Sequence, residues 1–408
     1  MKLNQKKLTV IVGLLGLYLI SAGLSWFMFT FVGGNKAGST VTESISELEK
    51  RRAEIMEAPK TEECPINGRM YTEIERQIWD ARRPIAAMIE NHADSRPPSG
   101  LSKSDVIYEA VAEGGITRFL NIFYCGVAAE NVNIAPVRSA RIYFVNWAAG
   151  YGDRPLFVHV GGANNLDPSS PSGTKYKGAV DPSVDAYGAL AKLGWRVARG
   201  NDFDTTFDSG FPVFWRNYER LDHDVATEHT MMSSTDKIYE EAAKRGLAAE
   251  SDDGVMWNED FKSWKFKDGQ ASSSPTAKKI SFVFWSNKED YDVRWEYNSE
   301  DNSYLRFNGG KPHTDLEFDN EQLSANNVVI MFVNEKGPVD KELHMFYESI
   351  GDGEMILFQN GEVVKGTWEK DTQTDQVRFY DEKGKEIEFV RGKIWIEAVP
   401  KGNDIEYS

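Results

Sequence analysis

An uncharged, apolar run near the start of the chain constrains this sequence more than any other feature. No charged side chain occurs from Leu8 to Val32. A hydrocarbon core about 30 Å thick is crossed by roughly 20 helical residues, and a helix satisfies its backbone hydrogen bonds inside lipid. The run therefore predicts a single transmembrane helix over residues 8–32.

The charges that flank the run predict its orientation. Lys2, Lys6 and Lys7 precede it, whereas acidic residues appear from Glu43 onward. Because cytoplasmic flanks are rich in lysine and arginine, we expect a cytoplasmic N-terminus, with the bulk of the chain outside the cytoplasm. A cleaved signal peptide is the alternative, but the run is long for one. A lipoprotein anchor would need a cysteine directly after the run, and the first cysteine is Cys64.

Composition narrows the class of protein. The formal net charge is −16 and the pI is about 5.0, which argues against nucleic-acid binding because that function needs a basic surface. The 408 residues allow two or three domains. Cys64 and Cys125 are the two cysteines, and the sequence leaves open whether they form a disulfide.

Changes in composition along the chain predict five segments. The predicted order is a cytoplasmic stub with the transmembrane helix, a linker with a short exposed helix, a mixed α/β domain, a polar linker and a β-rich domain. Their bounds are residues 1–35, 36–81, 82–267, 268–278 and 279–408.

The two folded segments differ in their patterns. Residues 82–267 mix strand-length apolar runs with helical spacing, whereas residues 279–408 hold short alternating segments separated by turn signals such as Asn360-Gly361. The predicted fold class is α+β: a transmembrane helix, an α/β-type N-terminal domain and an all-β C-terminal domain. The β-rich domain is interpreted as a partner or packing module.

A glycine pair predicts where charge lies on the first domain. If Gly114-Gly115 is a hairpin turn, Glu113 pairs with Ile116 and Val111 pairs with Arg118. Glu113 and Arg118 then share a largely apolar face. This pattern indicates either a structural ion pair or an arginine that Glu113 orients toward an anion.

A second basic motif follows a predicted strand. Arg138, Ser139 and Arg141 lie between that strand and a predicted helix. Ser139 is a candidate cap for the helix, and the arginines supply bidentate donors for phosphate or carboxylate. The alternative is that they form salt bridges with neighbouring carboxylates.

Acid–base and metal signals are weaker. A lone strand histidine is usually a satisfied core residue, and no histidine pair has a recognised zinc spacing. His92 and Glu228 could also converge with the candidates in space. We therefore predict no metal and no cofactor. The candidate acid–base or polar residues are Glu90, Asn91, His159 and His229.

Two motifs carry a family resemblance. Glu-Gly-Gly-Ile-Thr-Arg at residues 113–118 and Pro-Val-Arg-Ser-Ala-Arg at residues 136–141 resemble the YerB-like family of bacterial lipoproteins, whose defining domain has no assigned function. The resemblance runs from near Arg82 to near Pro400 and includes a β-rich C-terminal module. It implies a secreted protein or one anchored at the outer face of the membrane, but no reaction. Ala-Thr-Glu-His at residues 226–229 departs from the Ala-Pro-His-Asn-type motif of relatives.

These observations lead to one functional hypothesis and two alternatives. We expect an envelope protein that binds an anionic cell-wall polymer, a lipid-linked precursor or a wall-synthesis protein, without catalysis. The first alternative is an envelope enzyme acting on anionic glycan or lipid-pyrophosphate substrates, with Glu113, Glu90 and His159 as candidate acids or bases. The second is a structural scaffold.

Overall fold

The computed structural model describes residue 55, residues 58–164 and residues 180–408. The predicted membrane span at residues 8–32, and nearly all of the predicted exposed helix before residue 58, lie outside these residues. Within them, no helix is long and apolar enough to cross a bilayer. The described residues belong to one compact unit.

Four α-helices occur in the described part of the chain: α1 (Glu73–Asp80), α2 (Ile142–Ala148), α3 (Ala186–Lys192) and α4 (Thr235–Lys244). The first lies in the segment predicted to be a linker with a short exposed helix, residues 36–81. It begins with a capping box, because Thr72 Oγ1 accepts from the Glu75 N–H and the Glu75 carboxylate accepts from the Thr72 N–H. Neither α2 nor α4 has a side-chain cap.

Strands dominate the described residues and are numbered along the chain. The strands before residue 270 are β1 (Lys60–Glu63), β2 (Met70–Thr72), β3 (Ile85–Glu90), β4 (Val106–Glu113), β5 (Ile116–Phe123), β6 (Asn133–Ile134), β7 (Leu156–His159), β8 (Asp202–Asp204), β9 (Trp215–Arg216), β10 (Met231–Ser234) and β11 (Lys265–Lys267). The later strands are β12 (Lys279–Phe282), β13 (Val293–Asn298), β14 (Ser303–Asn308), β15 (Lys311–Pro312), β16 (Thr314–Asp315), β17 (Glu321–Gln322), β18 (Ser324–Ala325), β19 (Asn327–Val333), β20 (Glu335–Lys336), β21 (Phe346–Tyr347), β22 (Gly351–Gln359), β23 (Glu362–Lys370), β24 (Arg378–Asp381), β25 (Glu388–Val390), β26 (Ile394–Pro400) and β27 (Glu406–Tyr407).

One ten-stranded sheet joins the two halves of the chain. Its strand order is β24-β23-β22-β19-β26-β4-β5-β3-β7-β8. Strand β26 lies parallel to β4, with Ile394 opposite Val106 and Glu397 opposite Glu109. The predicted fold class, an α/β domain followed by a separate all-β domain, is therefore wrong. The described protein is mostly β, and strands from both halves share one hydrogen-bonded sheet.

Strand β4 shows why this sheet is central. Its side chains are buried almost without interruption, as expected of a strand covered on both faces. Tyr108 stacks on Trp147 of α2 with 5.3 Å between ring centroids, whereas Glu109 points the other way and pairs with Arg306 of β14. A helix thus covers one face at this point. The sheet formed by β12–β15, β18 and β27 covers the other.

The predicted hairpins are present. Gly114-Gly115 has positive φ angles, as a tight two-residue turn requires, and Glu113 lies opposite Ile116 as predicted. The predicted pairing of Val111 with Arg118 is wrong, because a bulge between Val111 and Glu113 shifts the register.

The two cysteines, whose pairing the sequence left open, form a disulfide. Cys64 and Cys125 are bonded, with 6.0 Å between their Cα atoms. The bond fixes the segment carrying β1, β2 and α1 to the chain just after β5. This segment is therefore covalently tied to the body of the protein.

Candidate functional site

The two predicted basic motifs meet at one edge of the main sheet. Strands β3 and β7 are parallel neighbours, so their carboxyl ends reach the same edge, where ligand sites of such sheets commonly lie. The segment at residues 136–141 crosses this edge. The Arg138 N–H donates to the Met88 carbonyl over 3.0 Å, and the Arg138 carbonyl accepts from the Val160 N–H over 3.1 Å. These bonds fix Arg138 between the two strand ends.

Glu113 holds two arginines. Its Oε1 lies 2.9 Å from Arg118 Nη2, and its Oε2 lies 2.5 Å from Arg141 Nη2. Burial raises the pKa of Glu113, but the charges of Arg118 and Arg141 outweigh burial and hold that pKa well below its usual range. Arg118 Nη1 also donates to the Ser139 carbonyl over 2.9 Å. Glu113 is therefore a fixed carboxylate near neutral pH.

Glu90 contacts both Arg138 and His229. Its Oε1 lies 2.9 Å from Arg138 Nε, and its Oε2 lies 2.6 Å from His229 Nδ1. Arg138 Nη1 donates to the Glu228 carbonyl over 3.2 Å. Burial and the charge of Arg118 lower the pKa of Arg138, and the charge of Glu90 raises it. We call Glu90, Glu113, Arg118, Arg138 and Arg141 the arginine edge.

Exposure separates the members of the arginine edge. The side chains of Arg118 and Arg141 are 2% and 7% exposed, whereas those of Arg138 and Glu113 are 21% and 29% exposed. A ligand arriving from solvent would thus meet Arg138 and Glu113. The buried arginines can position Glu113 but offer little surface.

Ser139 does not cap a helix. Helix α2 begins after Arg141, and no side chain caps it. The prediction for Ser139 as a cap is therefore wrong. Ser139 contributes its backbone carbonyl to Arg118 instead.

Two predicted polar residues point away from the arginine edge. Asn91 Nδ2 donates within a buried network to Thr117 over 2.7 Å and to Asn308 over 3.0 Å. His159 is completely buried, with its Nε2 2.6 Å from Asp202 Oδ1. Burial lowers the pKa of His159, but Asp202 outweighs burial and raises it. A sealed His159 cannot exchange protons with a bound substrate, so it does not support the enzyme alternative.

A second cluster beside Glu90 contains His92 and His229, whose convergence the sequence left open, together with Asp94, which sequence reasoning did not single out. The rings of His92 and His229 stack with 4.7 Å between centroids. One ligand atom each from His92, Asp94 and His229 lies within 4.8 Å of the others. His92 and His229 are far apart in sequence, so no short spacing motif could reveal them; only the proximity of His92 to Asp94 was visible.

A large cavity lies elsewhere. A cleft of about 970 Å³ forms where residues 149–154 and 253–262 face residues 369–380, and it includes none of the predicted site residues. Carboxylates outnumber cations in its wall, so it is poorly suited to an anion. The acidic residues that line it are Asp153, Asp253, Glu259, Asp260, Glu369, Asp371 and Asp375.

Comparison with known families places the chain in a class. Residues 71–248 match the N-terminal domain of a protein of unknown function (DUF3048), and residues 280–396 match the C-terminal domain of that family. The chain belongs to the DUF3048 family, and the predicted YerB-like membership is confirmed.

The chain is similar in sequence and in structure to YerB of Bacillus subtilis. The chain is 29% identical over 354 residues to a protein of strain 168 named "Putative lipoprotein YerB", covering 85% of this chain and 88% of the relative. It is also similar to the crystal structure of the YerB protein, with a TM-score of 0.63 and 26% identity, covering 85% of this chain and 100% of the other.

These findings correct the predicted localisation. A single-pass protein with a cytoplasmic N-terminus was expected. The relative instead carries the name "Putative lipoprotein YerB", and lipoproteins are lipid-anchored. The described residues contain no membrane-spanning helix. Uncharged apolar runs occur in several kinds of N-terminal leader, so hydropathy alone was insufficient to choose among them.

Proposed function

We propose that this protein is an envelope-associated binding protein whose arginine edge takes an anionic ligand, with Arg138 as the contacting residue. The ligand carries phosphate or carboxylate groups, as in a cell-wall polymer or a lipid-linked precursor. The observation that carries the proposal is a cluster of three arginines, one of them partly exposed to solvent. Three arginines meet two glutamates in a chain whose net charge is −16.

The arrangement also supports binding through preorganisation. Glu90 and the Glu228 carbonyl hold the Arg138 guanidinium in place, so little side-chain freedom remains to be lost when a ligand binds. Hydrogen bonds between charged groups are about twice as strong as neutral ones. A partly exposed and fixed guanidinium is therefore an efficient contact for an oxyanion.

Two further observations support an envelope association. The Cys64–Cys125 disulfide is a type of bond that persists in oxidising compartments outside the cytosol. The relative in Bacillus subtilis is named as a lipoprotein. Catalysis has no comparable support, since His159 is sealed and Glu113 is held as a carboxylate.

Co-sedimentation with isolated bacterial cell walls tests the proposal. Walls that carry phosphodiester polymers are compared with the same walls after those polymers are removed. We expect the protein to sediment with intact walls and to remain in solution with stripped walls.

Matched arginine variants make the test specific. Arg138→Ala should weaken wall binding about tenfold or more, since a hydrogen bond to a charged group contributes roughly 1.5–3 kcal/mol. Arg294→Ala is the control, because Arg294 is also partly exposed and paired with a glutamate but lies on the second sheet. No wall binding by the wild type, or equal binding by both variants, would overturn the proposal.

A further inference from the structure

We propose that His92, Asp94 and His229 form a binding site for a divalent transition-metal ion of the Zn²⁺ class. Imidazole nitrogen and carboxylate oxygen are the ligands that Zn²⁺ takes alongside thiolate, and three protein ligands leave a fourth position open. The three side chains come from two segments remote in sequence and meet at one place. The proposal does not rest on anion binding at Arg138, although both sites share Glu90.

His229 is held as a metal ligand would be. Its Nδ1 lies 2.6 Å from Glu90 Oε2, and Glu90 is in turn fixed by Arg138. Metal-binding histidines typically donate their second N–H to a carboxylate in this way, which fixes the ring and its tautomer. With Nδ1–H donated to Glu90, the lone pair of His229 is on Nε2 and free for an ion.

The other two ligands are placed to complete the site. His92 Nδ1 lies 3.8 Å from Asp94 Oδ2. It accepts from the Asp94 N–H over 3.2 Å, and a bound ion would replace that hydrogen bond. Bonds of about 2.0–2.2 Å in tetrahedral geometry put neighbouring ligand atoms roughly 3.4 Å apart. A shift of about 1 Å therefore suffices to close the cluster. The side chains of His92 and Asp94 are 29% and 72% exposed, so they are free to make this shift.

The histidine distribution supports the assignment. The chain has six histidines, and three of them surround Asp94. His223 Nε2 lies 3.1 Å from the Asp94 carbonyl and is half-exposed.

Metal titration of the full chain tests the proposal. The affinity tag is removed and the protein is dialysed against chelator, then titrated with ZnCl₂ by calorimetry and with Co²⁺ by visible absorption. We expect one ion per chain, with Co²⁺ absorption typical of nitrogen and oxygen ligands. Mg²⁺ should give no signal, because it prefers all-oxygen octahedral sites.

Variants distinguish this site from other histidines. His92→Ala and His229→Ala should each lower Zn²⁺ affinity more than about tenfold. His344→Ala is the control, since His344 forms a comparable pair with Asp340 at 2.9 Å but lies outside the cluster. Because His92 is partly exposed, His92→Ala should fold even if His229→Ala does not.

The outcomes separate the two proposals. Arg138→Ala should still take up one Zn²⁺ ion per chain even where it loses wall binding, because it removes none of the three ligands. The metal proposal is overturned if the wild type takes up no stoichiometric ion, or if His92→Ala binds Zn²⁺ as tightly as His344→Ala.

Discussion

Replacing Arg306 by methionine should strongly destabilise the protein. Arg306 of β14 lies 2.5 Å from Glu109 of β4 and 2.5 Å from Glu397 of β26, and all three side chains are completely buried. Arg306→Met keeps an apolar side chain of similar length but removes the positive charge. Among the described residues, Arg306 is the only cation in contact with both Glu109 and Glu397. Two facing carboxyl groups would then be buried without a counterion.

The size of the expected loss in the free energy of unfolding follows from the burial of these three side chains. Breaking a buried ion pair by removing one partner costs about 3–5 kcal/mol. Burial raises the pKa of Glu397, whereas Arg306 lowers it. Without Arg306 this pKa rises further, so Glu397 holds a proton in the variant, which limits the penalty. We therefore expect a loss of about 3 kcal/mol near pH 7. A carboxyl whose folded pKa is raised loses stability as pH rises through that pKa, so the variant should weaken further at alkaline pH.

Urea unfolding followed by tryptophan fluorescence measures this loss. Because both halves share one sheet, a single transition should shift as a whole. Arg294→Met is the control: Arg294 is about one-third exposed and pairs with Glu296, and exposed pairs contribute about 0–1 kcal/mol. A loss below 1 kcal/mol in Arg306→Met, or separate unfolding of residues 279–408, would refute the shared buried network.

Three further changes have defined outcomes. Removing the disulfide by Cys64→Ser with Cys125→Ser should lower the free energy of unfolding by about 4 kcal/mol, because the bond closes a loop spanning 61 residues; urea curves with and without reductant check this. Burial lowers the pKa of Lys393 to about 7, so the unfolded chain holds one more proton between about pH 7 and 10, and stability rises with pH by about 1.4 kcal/mol per unit. Lys393→Met should remove that slope, measured as the difference between variant and wild type at pH 7.5 and 9; an unchanged slope would contradict the assignment. Glu113→Gln should cost about 2 kcal/mol near pH 7 because Arg118 and Arg141 lose their shared carboxylate. Those arginines hold the pKa of Glu113 low, so the wild type should lose its stability advantage over Glu113→Gln as pH falls below about 4. Thermal melts at pH 7 and pH 3 measure this. The same difference in melting temperature between the two proteins at both pH values would contradict the prediction.

Local features of the fold were predictable and long-range pairing was not. The turns at Gly114-Gly115 and Asn360-Gly361 follow from glycine at positions that need positive φ. The pairing of β26 with β4 joins strands almost 300 residues apart, and no local pattern encodes which distant strand is the neighbour. The bulge after Val111 was also invisible, because one extra residue leaves composition and turn signals unchanged.

The site was predictable in its residues but not in its balance of charge. The two arginine motifs do meet, and Glu113 does contact Arg118. Sequence could not show that Arg141 shares the same carboxylate or that Glu90 holds Arg138. The sequence around His159 is equally consistent with a buried and with an exposed side chain. Only the structure shows that His159 is buried and paired with Asp202.

The central claim, that Arg138 contacts an anionic envelope ligand, is tested most directly by titration with soluble poly(glycerol phosphate). The wild type should bind, and its affinity should fall as salt screens the charges. Arg138→Ala should bind about tenfold more weakly or worse, whereas Arg294→Ala should match the wild type. Equal affinity for all three proteins would contradict the account.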